Sequence, residues 1–344
     1  MPRNVRPLRC NMKAIFLCDN TDTVQRVFGK NATDALCNML DLDTRIYTGG
    51  DLLAEPDRFS DVEIIFSTWG MPVLNEREIG QYLPSLKCIF YGAGSVQRFA
   101  RPYLNCGVRV FSAWAANAVP VAEMTAAEIV LANKGYFVTE RLYKTAGKCG
   151  AREYFGCMRG NFGETVGIIG AGMIGRKVIE LLRQYRLNVL VYDPFMPDCD
   201  AEALGVQKCS LEELFERSMT ISNHLANKPE TEGIINYTLL CRMRKCATFI
   251  NTGRGAQVVT DDLVRILTER SDLTALLDVT TPEPLPMTHP LFSLDNCKVT
   301  PHIAGSSGYE VMRMGDYMVS ECISYLGGEP CKYEVTKKML ETMA

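Results

Sequence analysis

Short apolar runs recur along the chain, and the stretches between them repeat apolar residues at helical spacing. Such runs occupy residues 13–18, 62–67, 86–91 and 108–111, then 165–169, 188–192, 219–223, 247–251, 274–279 and 298–300. A strand that is apolar on both faces must be covered on both faces. The pattern therefore predicts an α/β protein whose parallel strands lie between layers of helices. One intervening helix starts at Met173 and shows Ile174, Val178, Leu181, Leu182 and Tyr185 on one face. Ser210 with Glu213 reads as a capping box ahead of Leu214 and Phe215. Thr260 with Asp261 and Asp262 marks another helix start. A long apolar helix is expected over 119–132, with Pro120 in its first turn, and a final helix near 310–325.

With 344 residues the chain exceeds what one core ordinarily serves. Two joints suggest where it divides. At 115–119 strand patterning gives way to the long helix, and Gly305-Ser306-Ser307-Gly308 reads as a flexible link. The expected layout is a discontinuous unit of residues 1–115 plus 309–344 around a second unit of residues 116–308.

Composition narrows the function classes. Thirty-seven basic residues stand against 40 acidic ones, a net charge of −3, so no basic surface for nucleic acid or an anionic membrane is expected. The first eleven residues are basic, but no apolar segment long enough for a signal peptide or a membrane span follows. Fourteen scattered cysteines form no C-x-x-C pair, and only three histidines are present. Reduced thiols in a cytoplasmic protein are expected, with neither a disulfide framework nor a metal site.

Gly170-Ala171-Gly172-Met173-Ile174-Gly175 follows one predicted strand and opens the predicted helix at Met173. In that setting Gly170 can make a tight turn, Gly172 can admit a pyrophosphate, and Gly175 can let helix and sheet approach. The helix N-terminus then offers unpaired N–H groups to the phosphates. The next strand ends at Asp193, roughly twenty residues on, where a carboxylate accepts hydrogen bonds from ribose hydroxyls and repels a 2′-phosphate. Pro194 and Phe195 follow, with no arginine to receive such a phosphate. The expected cofactor is NAD rather than NADP.

Three charged residues lie beyond predicted strand ends: Arg254 in Asn251-Thr252-Gly253-Arg254-Gly255, Glu283 between Pro282 and Pro284, and His302 after Pro301. Taken singly, each has a plainer reading as a loop or turn residue. Arriving in order behind successive strands, downstream of a dinucleotide loop, they suit reduction of a 2-keto acid. That reaction needs a proton donor, which histidine supplies near neutral pH. A carboxylate beside it favours the imidazolium, and an arginine fork suits both the substrate carboxylate and the developing alkoxide. His289 sits in a proline-rich loop, and His224 ends a strand with no acidic neighbour in sequence.

Together these motifs resemble the D-isomer-specific 2-hydroxyacid dehydrogenase family from about residue 12 to 328. The likeness also rests on Asn223-His224 through Thr231-Glu232-Gly233-Ile234-Ile235-Asn236, on Asp278 through Pro284, and on Pro301 through Gly305. It implies two Rossmann-like doubly wound parallel-sheet domains, the catalytic one flavodoxin-like, with two chains paired through the cofactor domains. It implies Arg254, Glu283 and His302 as the catalytic triad. Cofactor contacts carry over to Gly170, Gly172, Met173, Ile174, Gly175, Asp193, Leu225, Thr252, Gly253, Arg254, Asp278, His302 and Ala304. Gly92-Ala93-Gly94-Ser95 is similar to the family's substrate loop. Leu225-Ala226 stands where the family commonly has Thr-Pro, and Val96-Gln97-Arg98 replaces its usual Gly/Val-Asp-Asn. Trp69 stands where phosphoglycerate-specific members tend to carry a basic residue, so it favours an unphosphorylated acid or simply packs at a strand end. The expectation is hydride transfer between NAD(H) and a small D-2-hydroxy or 2-keto acid. A phosphoglycerate dehydrogenase lacking a regulatory domain and an NAD-sensing corepressor of the same fold are the alternatives. A formate dehydrogenase fits less well, since it needs no proton donor.

Overall fold

The computed structural model describes residues 10–341. Residues 1–9 of the basic N-terminal run, and the last three residues, lie outside the described residues. The chain divides into two compact units. One is Met1–Asn117 with Ser306–Ala344, the other Ala118–Gly305.

The first unit opens with β1 (Lys13–Leu17), α1 (Thr21–Phe28), α2 (Lys30–Met39), β2 (Asp41–Tyr47), α3 (Gly49–Ala54) and β3 (Ile64–Ser67). It continues with α4 (Glu76–Tyr82), β4 (Cys88–Tyr91), α5 (Ala100–Asn105) and β5 (Arg109–Ser112). Helix α6 (Trp114–Asn133) contains the boundary at Asn117. The second unit follows with α7 (Tyr136–Glu153), β6 (Phe162–Ile169), α8 (Met173–Leu182), β7 (Arg186–Tyr192), α9 (Asp198–Leu204) and β8 (Gln207–Lys208). It is completed by α10 (Leu211–Arg217), β9 (Thr220–Asn223), α11 (Tyr237–Leu240), β10 (Thr248–Asn251), α12 (Thr260–Glu269), β11 (Thr274–Leu277) and β12 (Cys297–Val299). Finally α13 (Val311–Leu326) and β13 (Glu334–Val335) return to the first unit.

The first sheet has the order β2-β1-β3-β4-β5-β13, parallel except where β13 pairs antiparallel with β5. The parallel part is the flavodoxin-like doubly wound order. Strand alternation sends Phe16, Phe66, Phe90 and Phe111 to one core, where Phe90 stacks on Phe66 at 5.3 Å and on Phe111 at 4.7 Å. Ile15, Ile65, Ile89 and Val110 fill the core on the other face.

The second sheet is wholly parallel, in the order β8-β7-β6-β9-β10-β11-β12. This is the Rossmann order with one added strand, and its switch point lies between β6 and β9.

Two local readings are corrected. The long helix begins at Trp114, so Pro120 lies inside it rather than in its first turn, at the cost of one backbone hydrogen bond. Ser210 accepts the Glu213 amide at 3.1 Å, but Glu213 turns its carboxylate to Arg217 one turn on, so the box is only half made. The helix start read at Thr260 stands, with Asp261 and Asp262 in its first turn, and the Thr260 hydroxyl donates to the Thr281 carbonyl at 2.7 Å. Among the described residues α6 alone is long and apolar enough to cross a membrane, and half of that window is buried within the protein. The hydroxyls of Thr125 and Thr252 are 3.0 Å apart, and Asn133 accepts from Thr220 at 2.7 Å, as in a core helix.

Candidate active site

Strand β6 ends at Ile169 and the chain turns at once through Gly170, whose φ is +86°. A β-carbon at Gly170 would lie 2.8 Å from the His224 carbonyl, and one at Gly175 would lie 2.1 Å from the Gly170 carbonyl. Both positions therefore require glycine. Gly172 is different: a β-carbon there would meet nothing within 4 Å. It borders open space at the start of α8, whose cap has no side-chain acceptor for the first amides. An exposed cradle of backbone N–H groups results, and Met173 and Ile174 supply the first two residues of the helix. A pyrophosphate fits that cradle by charge and by room.

Asp193 follows the last residue of β7. The Ala171 amide donates to its Oδ2 at 2.8 Å and the Phe195 amide to its Oδ1 at 2.9 Å. These bonds lock the carboxylate beside the glycine loop, and each oxygen retains a second lone pair for a hydroxyl donor.

Buried amide side chains organise the ends of β9 and β10. Asn223 and Asn251 pair in register on neighbouring strands. Asn223 Nδ2 donates to Asn251 Oδ1 at 3.0 Å and to Gln257 Oε1 at 2.6 Å. Asn251 Oδ1 accepts the Gly253 amide at 3.1 Å, and its Nδ2 donates to the Arg254 carbonyl at 3.1 Å. Gln257 Nε2 donates to the carbonyls of Leu225 at 2.8 Å and Ala226 at 2.9 Å. One network thus fixes both loops, residues 225–226 and residues 252–254. The pattern reading missed Asn223, Asn251 and Gln257 as positioning groups. Their only sequence signal is a polar residue closing an apolar run.

The Arg254 side chain donates to the Gly253 carbonyl at 2.8 Å. Burial pulls its guanidinium below the usual range, and the negative charge of Glu283 opposes that pull. Glu283 Oε1 lies 2.5 Å from His302 Nδ1, with both side chains nearly half exposed. His302 has a φ of +56°, a left-handed conformation costly for a side chain of this kind. Asp278, just past β11, holds that turn. Its Oδ1 accepts the Thr300 hydroxyl at 2.6 Å and the Ile303 amide at 2.7 Å, and its Oδ2 accepts the Ala304 amide at 2.8 Å. The second unit therefore brings Arg254, Glu283 and His302 together, with Thr252, Gly253, Asp278 and Ala304 in the loops that carry them.

The other two histidines do different work. Burial pushes the His224 imidazole down to about 3, so the ring is neutral. Its Nε2 lies 3.0 Å from the Ser222 hydroxyl. His289 Nδ1 accepts the Leu291 amide at 3.3 Å and closes a turn. Glu128, on α6, is a further group that helical periodicity hid. Its Oε2 is sealed from solvent without a hydrogen-bond partner, and burial, then repulsion by Asp278, push its carboxyl up to about 7.

In the first unit, Gly92 to Ser95 follow β4. The Gly92 amide donates to the Ser67 carbonyl at 2.7 Å, and the Ser112 hydroxyl contacts the carbonyls of Ala93 at 2.9 Å and Gly94 at 2.6 Å. The amides of Ala93, Gly94 and Ser95 have no acceptor among the described residues. They make a nest suited to a carboxylate. Trp69 follows β3 with its ring 39 % exposed, and its carbonyl accepts from the Thr23 hydroxyl at 3.2 Å.

Residues 139–304 match the family described as D-isomer specific 2-hydroxyacid dehydrogenase, NAD binding domain. The chain is 35 % identical over 180 residues to a glyoxylate reductase of Thermofilum pendens, covering 52 % of this chain and 53 % of that one. It is 34 % identical over 180 residues to a human glyoxylate reductase/hydroxypyruvate reductase, covering 52 % and 55 %. The chain thus spans about half the length of the curated relatives it matches. A solved phosphoglycerate oxidoreductase from Rhizobium etli superposes with a TM-score of 0.79 at 22 % identity, covering 95 % of this chain and 99 % of that one, a likeness of fold.

Proposed function

We propose that this chain, whose residues 139–304 match the D-isomer specific 2-hydroxyacid dehydrogenase, NAD binding domain, interconverts a small D-2-hydroxy acid and its 2-keto acid with NAD. The observation that carries this reading is the Glu283–His302 pair, 2.5 Å apart, in the unit that also holds the glycine loop and Asp193.

When bound, reduced NAD supplies the hydride received by C2 of the keto acid. Gly170, Gly172, Met173, Ile174 and Gly175 hold the pyrophosphate, and Asp193 accepts the ribose hydroxyls. Leu225, Thr252, Gly253, Asp278 and Ala304 border the nicotinamide half. His302 gives its proton to the substrate O2, so the carbonyl becomes an alcohol without a free alkoxide. Being half exposed, His302 regains a proton from solvent after each turn. Glu283 orients the His302 ring through its contact with Nδ1. Arg254 faces the substrate carboxylate and the oxygen where charge develops.

The chain pairs with a second copy through the exposed aromatic side chains of Tyr136, Tyr143, Phe155 and Phe162 in the second unit. Exposed large apolar side chains of this kind favour burial against a partner. Fourteen unpaired cysteines suit a cytoplasmic setting.

The test is loss of NADH absorbance with glyoxylate, pyruvate and hydroxypyruvate, followed by chiral analysis of the product. Turnover to a D-product that vanishes in His302→Ala supports the reading. An absence of turnover with every 2-keto acid, in a folded chain that binds NADH, overturns it.

A further inference from the structure

The first unit contains a half-open pocket of about 340 Å³, lined by Thr23, Arg26, Val27, Trp69, Ser306 and Val311. A β-carbon at Gly92 would lie 2.7 Å from Val27 Cγ1, so the Gly92–Ser95 loop packs against the pocket wall there. Near Gly94 stands Asn117, whose Oδ1 accepts the Ser306 amide at 2.9 Å, and whose Nδ2 would lie 3.6 Å from a β-carbon at Gly94. A carboxylate held by the loop amides would therefore present its substituent to this pocket.

Thr23, Arg26 and Val27 share one face of α1, being three and four residues apart. Arg26 is the one charged group of the lining, and it makes no ion pair among the described residues. The remaining lining combines two hydroxyl side chains, an indole and two valines. A volume of about 340 Å³ lies at the small end of ligand pockets.

Resting on the reading of this chain as a 2-keto acid reductase, we propose that this pocket selects short 2-keto acids bearing a second carboxylate, and that Arg26 is the residue that reads it. One guanidinium fork matches one carboxylate. A phosphate dianion calls for more positive charge than a single arginine beside Trp69 provides. The sequence reading rested on Trp69 alone, and the pocket adds a cation from another element.

The experiment compares kcat/KM with NADH for oxaloacetate, 2-ketoglutarate, 2-ketobutyrate and 3-phosphohydroxypyruvate. A charge-assisted contact predicts a preference of roughly 10- to 100-fold for the dicarboxylic acids, expressed mainly in KM. Arg26→Gln should collapse that ratio, and Arg26→Lys should keep part of it. No preference, a ratio unchanged by Arg26→Gln, or stronger preference for the phosphorylated acid overturns the proposal. Calorimetric titration of 2-ketoglutarate in the presence of NAD reports the pocket without turnover. Binding that weakens about 10-fold in Arg26→Gln while no acid is reduced supports the pocket and condemns only the catalytic reading. Equal affinity in both proteins overturns the pocket even if reduction is seen.

Discussion

Glu128→Gln should make the protein more stable, and only above a defined pH. Glu128 lies one turn past Thr125 on α6, with Oε2 shut off from water and from every donor. Burial is the larger reason its carboxyl is pushed up to about 7, and the Asp278 charge adds to it. In the unfolded chain the same group titrates near 4.5. The folded state therefore binds the extra proton between those values, and stability falls as pH rises through that window before levelling off above about 7. At ~1.4 kcal/mol per pH unit the full loss is roughly 3 kcal/mol, and residual water access brings the expected value nearer ~2 kcal/mol. Glutamine keeps the shape and removes the charge. Urea unfolding should show wild type and Glu128→Gln nearly equal at about pH 4.5, and the variant ahead by ~2 kcal/mol at about pH 8. In thermal unfolding that gain corresponds to roughly 4–8 °C. An equal difference at both pH values, or none at the higher one, would refute the argument, because neither follows from a buried ionisation.

The remaining predictions concern the site. His302→Ala should lower kcat/KM for keto-acid reduction by ~10²–10⁴ while NADH affinity, read by fluorescence titration, stays within about twofold. A loss of NADH binding of the same size would remove its role as proton donor. Glu283→Gln should lower kcat/KM for keto-acid reduction, since the His302 ring loses the 2.5 Å carboxylate that orients it; an unchanged kcat/KM would reject that pairing as functional. Gly175→Ala, with its β-carbon 2.1 Å from a carbonyl, should cost about 1–3 kcal/mol of stability whether or not cofactor is present. Gly172→Ala, facing open space, should melt like wild type and lose only NADH affinity. Equal behaviour of the two variants would contradict the cradle.

Much of the fold was legible because a central parallel strand has no polar face. Strand β3, for example, reads Ile-Ile-Phe-Ser and is buried throughout. Strand β2 escaped the same criterion because it lies at the sheet edge, where Asp41, Asp43, Thr44 and Arg45 face water. Strands β8 and β13 have two residues each, too few for any period. Helix starts set by local residues were legible, as at Met173 and Thr260. The bond from the Thr260 hydroxyl to the Thr281 carbonyl, a partner far away in sequence, was not. The same distinction separates the site residues. Arg254, Glu283 and His302 follow strands, so chain order alone placed them at one sheet edge. Glu128 sits among alanines and isoleucine on an apolar helix, and Arg26 on what reads as a solvated face. Only tertiary packing gives either a role.

The second unit shows why these polar groups can be buried together without unfolding the sheet. Parallel register sets Asn223 beside Asn251 and Asn251 beside Leu277, so the next residue, Asp278, emerges at the same edge. Asn223 donates to Asn251 and Gln257, which themselves donate to backbone carbonyls, and an unmet donor would cost about 1–3 kcal/mol. Asp278 receives three donors, so its buried oxygens are satisfied and fix the turn that follows. Two of the three come from the backbone immediately after His302. The left-handed turn at His302 costs roughly 1–2 kcal/mol, comparable to what those charge-assisted bonds return. His302 is thus aimed by a carboxylate it does not touch, whereas Glu283 holds its ring directly at Nδ1. Asp278→Asn would separate the two roles: the amide keeps the shape but loses acceptors, so His302 should become misplaced, lowering kcat while the pH profile keeps its position. A displaced profile with unaltered kcat would show instead that Asp278 acts on His302 through its charge.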